Sequence, residues 1–218
     1  MLGIFEEGTY GTSGGDLTQL KDYLIAKALW DPSVDADALV ASFLAGYYGE
    51  AAAGIKAYMG AMLQGIEQSS YYMHESFDIN APFLTPQLLL TSAAAFVAAH
   101  AAVAGGDARF VHRVEEAGMP LMYVVLFRWG EVKAYAKQAG VAWPYNATLR
   151  PQFDEFKRRY QHLAMSKLDE RGRNITWMEQ ALFPNATAGA PPPSPSAIDV
   201  SSTVAWWKRG VGTLHWPR

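Results

Sequence analysis

The chain has 218 residues, half of them hydrophobic, so it can bury the core of one large domain. Its net charge is −3 and only 18% of its residues are charged, so no broad basic field is available to bind nucleic acid. The absence of cysteine excludes disulfides, zinc–thiolate sites and thiol nucleophiles.

The N-terminus predicts one short strand and a glycine-rich turn. The apolar run LGIF (2–5) is the strand, and EEGTYGTSGGD (6–16) follows it. This turn lacks the Gly-Lys-Ser/Thr of a phosphate loop, and no βαβ unit follows it, so we do not predict a nucleotide site. In a continuing strand Glu6 and Glu7 point to opposite faces, so at most one of them can belong to an acid/base pair.

From Asp16 onward the pattern is helical. Apolar residues recur at helical spacing through residues 16–30, and Ser13 or Asp16 can cap this first helix. Pro32 ends it, because the residue before a proline disfavours helical backbone angles. Ser33 or Asp35 can cap a second helix.

Gly46 or Gly49 stops the second helix, and a third follows over residues 50–73. One face of the third helix carries the apolar residues Ile55, Tyr58, Met59, Met62, Leu63 and Ile66.

Residues 74–83 predict a loop, and Thr85 with Pro86 marks the next helix start. The apolar run 88–105 approaches the length of a membrane span, but it is rich in alanine and contains His100. We interpret it as a buried helix and expect no membrane association.

The remaining chain predicts more helices and a tail. AGGD (104–107) ends the preceding helix and begins another, and residues 107–140 predict one long helix kinked at Pro120. Residues 146–172 and 176–183 predict two more. The alanine-rich segments indicate close helix packing, so the expected fold is mainly α: a bundle-like domain of about five to seven helices preceded by one short strand.

Residues 185–197 form a Pro/Ala/Ser linker, and the segment after them has three tryptophans without a clear period. That segment is open to interpretation as a disordered tail, a docking segment or a stretch foreign to the domain.

Few residues carry recognisable chemistry. The five histidines have no metal-ligand spacing, and no GxSxG motif is present, so we expect no metal and no cofactor. His74 and Glu75 lie in a polar loop that is either a site or packed on the bundle. His100 is expected at a helix contact.

Several aromatic residues can stack on sugar rings or fill the core: Tyr10, Trp30, Tyr47, Tyr48 and Trp143. Arg109, Arg113 and Glu116 can form surface or interhelix ion pairs.

Three N-glycosylation sequons begin at Asn146, Asn174 and Asn185, and no signal peptide is visible in this chain. The localisation is therefore left open, with secretion of a parent protein as one alternative.

The combination of GIFEEGTYG, LWDP and GYYGEAA within residues 3–63 resembles a family of uncharacterised glycoside-hydrolase-like proteins. That family is related to the α-glucuronidases and more loosely to the hexosaminidases, and it is often described only as a domain of unknown function. RFVHRVEEAGMPLMYVVL (109–126) resembles the arginine-containing helix that usually follows, so the resemblance extends over about 3–183.

The resemblance implies a (β/α)₈ barrel with its active site at the C-terminal face, followed by a helical domain. Residues 1–32 would be the last barrel β/α unit, 33–184 the helical domain, and 185–218 a Pro-rich linker and disordered tail. A complete barrel takes about 250 residues, so this chain would be a C-terminal fragment of a larger enzyme or a truncated gene model.

The catalytic carboxylates of such enzymes lie mostly on earlier strands, so no catalytic residue is assigned here. The candidates for the rim of the sugar site are Glu6, Glu7, Tyr10, His74 and Glu75. The expected role is that of a helical support domain, inactive alone, which meets carbohydrate through the missing barrel and can make homodimer contacts. The alternative is a stand-alone helical module that binds a partner protein.

Overall fold

The computed structural model describes residues 15–69, 71, 78–169 and 172–184. Within these ranges the chain is helical and contains no strand, which confirms a mainly α fold; the strand predicted at 2–5 and the tail 185–218 lie outside them. The helices are α1 (Thr18–Trp30), α2 (Ala36–Tyr48), a 3₁₀ turn (Gly49–Ala51), α3 (Ala52–Ser69), α4 (Pro86–Val103), α5 (Ala108–Ala117), α6 (Met119–Phe127), α7 (Trp129–Ala139), α8 (Leu149–His162) and α9 (Ile175–Leu182).

Several helix ends follow from local side-chain chemistry. The Asp35 carboxylate accepts hydrogen bonds from two backbone N–H groups at the start of α2, and Thr85 Oγ1 accepts from the N–H of Leu88, with Pro86 in the first turn of α4. Gly49 ends α2 at a φ of 55°, a left-handed value that favours glycine. These predicted boundaries are confirmed.

Residues 107–140 do not form the single long helix that the sequence predicted. They form α5, α6 and α7, with breaks at Gly118 and Arg128. Pro120 lies in the first turn of α6, where its missing N–H costs no hydrogen bond, so the chain restarts a helix there instead of kinking one. This difference is why the described residues hold more helices than expected.

The centre of the fold is the pairing of α3 with α4. A side-chain carbon placed on Gly54 of α3 would lie 2.7 Å from the Cβ of Ala99 and 2.8 Å from the carbonyl oxygen of Ala95. The two backbones therefore approach as closely as small residues allow, which confirms the close packing that the alanine-rich sequence indicated. The predicted apolar face of α3 is buried at Ile55, Tyr58, Met59, Met62 and Ile66.

Two helical stretches in the described part of the chain are long and apolar enough to span a membrane, Ala36–Ser69 and Pro86–Val103. The core helix of a soluble protein passes the same test, so this is weak evidence for a span. In α4, Leu89, Ser92 and Ala99 are buried, whereas Val97 is 52% exposed, so one face of this helix packs on the bundle and the other is open to solvent.

Charged residues join α8 to its neighbours. Arg158 lies 3.0 Å from Glu115 of α5, and Glu179 of α9 lies 2.6 Å from Arg150 and 2.8 Å from Lys157. The cations of α8 are therefore used in ion pairs between helices.

Candidate functional site

A buried carboxyl group lies at the start of α1, directly after the glycine-rich segment. Asp16 is only 3% exposed, and its Oδ1 accepts a hydrogen bond of 2.9 Å from the phenolic Oη of Tyr58 on α3. Gly15 and Leu17, on either side, are buried as well. The chain therefore enters α1 pressed against the helical body.

Burial changes the acidity of this pair. Loss of hydration raises the pKa of Asp16 from 3.8 to about 7, although the hydrogen bond from Tyr58 opposes the rise. Burial, with the nearby Asp16 carboxyl, raises the pKa of Tyr58 well above its ordinary value. Asp16 therefore keeps its proton through the acidic range, and Tyr58 stays neutral.

The backbone beside Asp16 is strained. Leu17 has φ 48° and ψ 36°, a left-handed conformation that costs a residue with a Cβ about 1–2 kcal/mol. Burial of the Leu17 side chain in the core offsets this cost. Leu17 occupies the N-cap position of α1, so the prediction that Asp16 caps this helix was wrong, and Ser13, the other candidate, lies outside the described residues.

A second buried carboxyl group lies near the first. Glu116 of α5 accepts a hydrogen bond of 3.0 Å from the side-chain amide of Gln19 on α1. Burial raises the pKa of Glu116, against the lowering effects of Gln19 and Arg113. Glu116 thus connects α5 to α1, and Asp16 connects α1 to α3.

Arg113 completes this region. Its Nη1 donates a hydrogen bond of 2.7 Å to the carbonyl oxygen of Tyr47, and its guanidinium carbon lies 4.1 Å from the centre of the Tyr47 ring. Tyr48, 1% exposed, lies among these groups, and its pKa is raised by burial and by the nearby Tyr47, Asp16 and Glu116. In the described part of the chain Arg113 and Glu116 join helices through these hydrogen bonds and ring contacts, and not through the ion pairs that the sequence predicted.

We call Asp16, Gln19, Tyr48, Tyr58, Arg113 and Glu116 the α1 anchor. From the sequence, Asp16 could be interpreted only as a helix cap. Its partner Tyr58 lies 42 residues away, and this tyrosine fits equally well into the apolar face of α3. An acidic residue between a glycine pair and an apolar helix is the only sequence signal for this group.

The residues predicted at the rim of a sugar site lie outside the described residues: Glu6, Glu7, Tyr10, His74 and Glu75. Their roles therefore stay predictions. The α1 anchor is the nearest described structure in sequence to the first three, since Asp16 follows Tyr10 by six residues.

The other aromatic candidates have separate surroundings. Trp30, at the end of α1, is 91% exposed. Tyr47 is half-buried between Phe43 and Arg113, with 4.8 Å between the centres of the Tyr47 and Phe43 rings. Trp143 is half-buried in a cluster with Trp129 and Tyr145.

The histidines of the described ranges form no cluster of metal ligands. In the described ranges no three histidine, aspartate or glutamate side chains lie together in a way that could hold a metal ion. His100 Nε2 lies 4.0 Å from Glu115, a helix contact of the kind expected, and the rings of His112 and His162 are 5.4 Å apart.

The α1 anchor is suited to hold the start of α1 against the neighbouring helices. Asp16 and Tyr58 are too buried to contact a substrate in this conformation, and their hydrogen bond joins elements that are distant in sequence. In the α1 anchor, the group whose acidity matters near neutral pH is Asp16, because burial raises its pKa to about 7.

Residues 1–60 match the model of a family described as a domain of unknown function (DUF4838). This match spans the glycine-rich segment, α1, α2 and the first half of α3. No curated protein and no solved structure gives a significant match to the chain.

Proposed function

We propose that this chain is the C-terminal helical part of a carbohydrate-active glycoside hydrolase related to the α-glucuronidases. Alone it is not catalytic. It supports a preceding barrel and holds the glycine-rich segment at the rim of the sugar site, where one of Glu6 and Glu7 faces the ligand with Tyr10.

The observation that carries this proposal is the hydrogen bond between Asp16 and Tyr58 inside the stretch that matches the family. The match covers both the acidic segment and parts of three helices of the body. A support domain must hold the end of this segment in place, because a rim residue must stay within about 0.5 Å of its working position. A helical body that packs against the residues following the segment meets this requirement.

The first test compares the chain with its genomic context. We expect an in-frame barrel-encoding sequence upstream of Met1, and no turnover of aryl glycosides or aryl glucuronides by the isolated 218-residue chain. Measurable hydrolysis by the isolated chain, or a functional promoter directly before Met1, would overturn the proposal.

The second test uses the longer protein. We expect Glu6→Gln or Glu7→Gln, whichever faces the ligand, to lower kcat/KM for an aryl glucuronide by about tenfold or more. Glu50→Gln is the matched control, since Glu50 is exposed on the 3₁₀ turn, and it should leave kcat/KM unchanged. Equal activity in all three variants would remove both glutamates from the rim.

A second candidate function is a stand-alone module that binds a partner protein. Trp30 and Leu29 favour it, because both are large apolar side chains left exposed at the end of α1. The same two residues would also suit packing against a barrel. Sedimentation of the isolated chain, with Trp30→Ser as the variant, separates the candidates: self-association that Trp30→Ser abolishes supports the module.

A further inference from the structure

The asparagines of this chain share a sequence context. Of the four asparagines, three begin an Asn-X-Thr sequon: Asn146, Asn174 and Asn185. Serine and threonine together make up about a tenth of the chain, so chance alone would place about one asparagine in ten in such a sequon. Asn-X-Thr is the acceptor of N-linked glycans in secreted proteins, where it lies at the surface. Asn185 lies outside the described residues, so the structure bears on the other two sequons.

Asn146 lies in the loop between α7 and α8, and all three residues of its sequon are exposed. Its side-chain Nδ2 donates a hydrogen bond of 3.1 Å to Oε1 of Gln152, a buried residue of α8. An amide nitrogen carries two hydrogens, so a sugar that replaces one of them leaves the other for this bond. The acceptor side chain is therefore at the surface, and its modification need not disturb the loop.

Asn174 precedes α9, and it is exposed together with Thr176. Its Oδ1 accepts hydrogen bonds of 3.1 Å from the backbone N–H groups of Thr176 and Trp177. The helix cap thus uses the oxygen of the amide, and among the described residues the nitrogen has no hydrogen-bond partner. A glycan on Nδ2 leaves Oδ1 able to accept both bonds, so modification retains the cap.

We propose that Asn146 and Asn174 are N-glycosylation sites of a protein that passes through a secretory pathway. The sugar donor is a lipid-linked oligosaccharide diphosphate, and the cell's oligosaccharyltransferase catalyses the transfer. The bond between the anomeric carbon and the diphosphate oxygen breaks, and a new bond joins that carbon to Nδ2. The amide nitrogen gives up one proton, and the lipid diphosphate leaves.

The two sites lie at opposite ends of the pair of helices α8 and α9. Asn146 lies just before α8, whereas Asn174 precedes Ile175, whose backbone contacts Tyr160 near the end of α8. The 14 residues of α8 span about 20 Å. Bulky, hydrated glycans at both ends would cover the exposed side of this pair. In the longer protein this side therefore faces solvent, and not a barrel or a second copy of the chain.

The test begins with the full 218-residue chain, directed by a signal peptide into the secretory pathway of a eukaryotic host. Peptide-N-glycosidase in heavy-oxygen water converts each glycosylated asparagine into a heavy aspartate, which mass spectrometry of the peptides locates. We expect this mark at Asn146 and Asn174 in most copies of the chain. Asn80 is the internal control, because it is exposed but is followed by Ala81 and Pro82, and it should stay unmarked.

Three variants make the result specific. Thr148→Ala should abolish the mark at Asn146 alone, and Thr176→Ala the mark at Asn174 alone. Both threonines are exposed, and the Thr148 side chain makes no capping hydrogen bond to α8, so the helical circular dichroism spectrum should be retained. Thr148→Ser keeps the sequon and should keep the glycan, which separates loss of the sequon from a disturbed loop.

Absence of the mark at both asparagines of the secreted chain would overturn the proposal, and a mark at one of them would remove the other site. The same mapping of the protein isolated from the organism that makes it should show both marks; unmodified peptides there contradict the proposal. The glycosidase should also remove the glycans from the folded chain, and release only after denaturation would contradict their surface position. None of these measurements involves sugar turnover, so failure of the sites and failure of the proposed function are distinguishable.

Discussion

Gly54 and Ala99 bring α3 and α4 into close approach: a Cβ on Gly54 would lie 2.7 Å from the Cβ of Ala99. We therefore expect Gly54→Ala to destabilise the chain by about 1–3 kcal/mol, because the helices must separate and this outweighs the helix propensity that alanine gains. Urea denaturation monitored by circular dichroism gives the free energy of unfolding.

Gly60 supplies the matched control in the same helix. A Cβ at Gly60 meets no atom within 4 Å, so Gly60→Ala should stabilise the chain by up to about 1 kcal/mol through helix propensity alone. Opposite signs for the two substitutions support the close approach at Gly54. A stabilising Gly54→Ala would contradict it.

Asp16 should make the whole chain less stable as pH rises. The folded chain holds the Asp16 proton up to about pH 7, whereas the unfolded carboxyl releases it near its ordinary pKa of 3.8. The folded state thus binds more protons between these two values, so its stability falls through this window and levels off above about pH 7.

Asp16→Asn removes this dependence. Relative to the wild type, the variant should gain up to about 4 kcal/mol of stability between pH 4 and pH 8. Urea denaturation at a series of pH values measures the gain, with Asp22→Asn as the control. A constant difference between Asp16→Asn and wild type across the series would show that Asp16 titrates normally.

We expect the substitution Ser92→Ala to raise the stability of the chain. Its side chain is fully buried in α4, and within the described residues its Oγ has no hydrogen-bond partner. Ser92→Ala removes an unsatisfied hydroxyl and adds helix propensity, so we expect stabilisation by about 1–2 kcal/mol in thermal or urea unfolding. Ser42→Ala, exposed on α2, should gain only the propensity part, about 0.5 kcal/mol or less. Equal gains would mean that Ser92 finds a partner in solution.

Arg113 should matter more than Arg109, although both lie on α5. Arg113→Ala loses the hydrogen bond to Tyr47 and the stacking on its ring, and it withdraws a cation from buried Glu116, so we expect a loss of about 1–3 kcal/mol in unfolding free energy. Among the described residues Arg109 pairs with neighbouring Asp107 at the surface, and Arg109→Ala should leave the free energy of unfolding unchanged. If both variants lost a similar free energy of unfolding, the effect would come from helix α5 as a whole and not from the contacts of Arg113.

Much of the fold could be predicted because it is encoded locally. Asp35 and Thr85 start helices through hydrogen bonds to backbone N–H groups two or three residues ahead, and such pairs are visible in any sequence. The division of residues 107–140 was missed because Gly118 and Arg128 are both compatible with a continuous helix, and the packing of three short helices overrides that preference.

The α1 anchor could not be predicted for a different reason. Whether Asp16 caps α1 or is buried against Tyr58 depends on how α1 lies on α3, which is a long-range property. The spacing of Leu20 and Leu24 indicates the buried side of α1 but does not indicate what covers it. The rim residues inferred from the resemblance lie outside the described residues and still rest on that resemblance.

The contact between Gln19 and Glu116 joins residues 97 positions apart, and this separation bears on how the chain is made. A ribosome adds roughly 5–20 residues per second, so α1 leaves it several seconds before α5 exists. During that interval Gln19 lacks its partner, and the apolar side of α1 has only the helices already synthesised to cover it. Helix α1 therefore acquires its full set of contacts only after α5 has been made, and a chain that stalls before Glu116 would carry α1 incompletely docked.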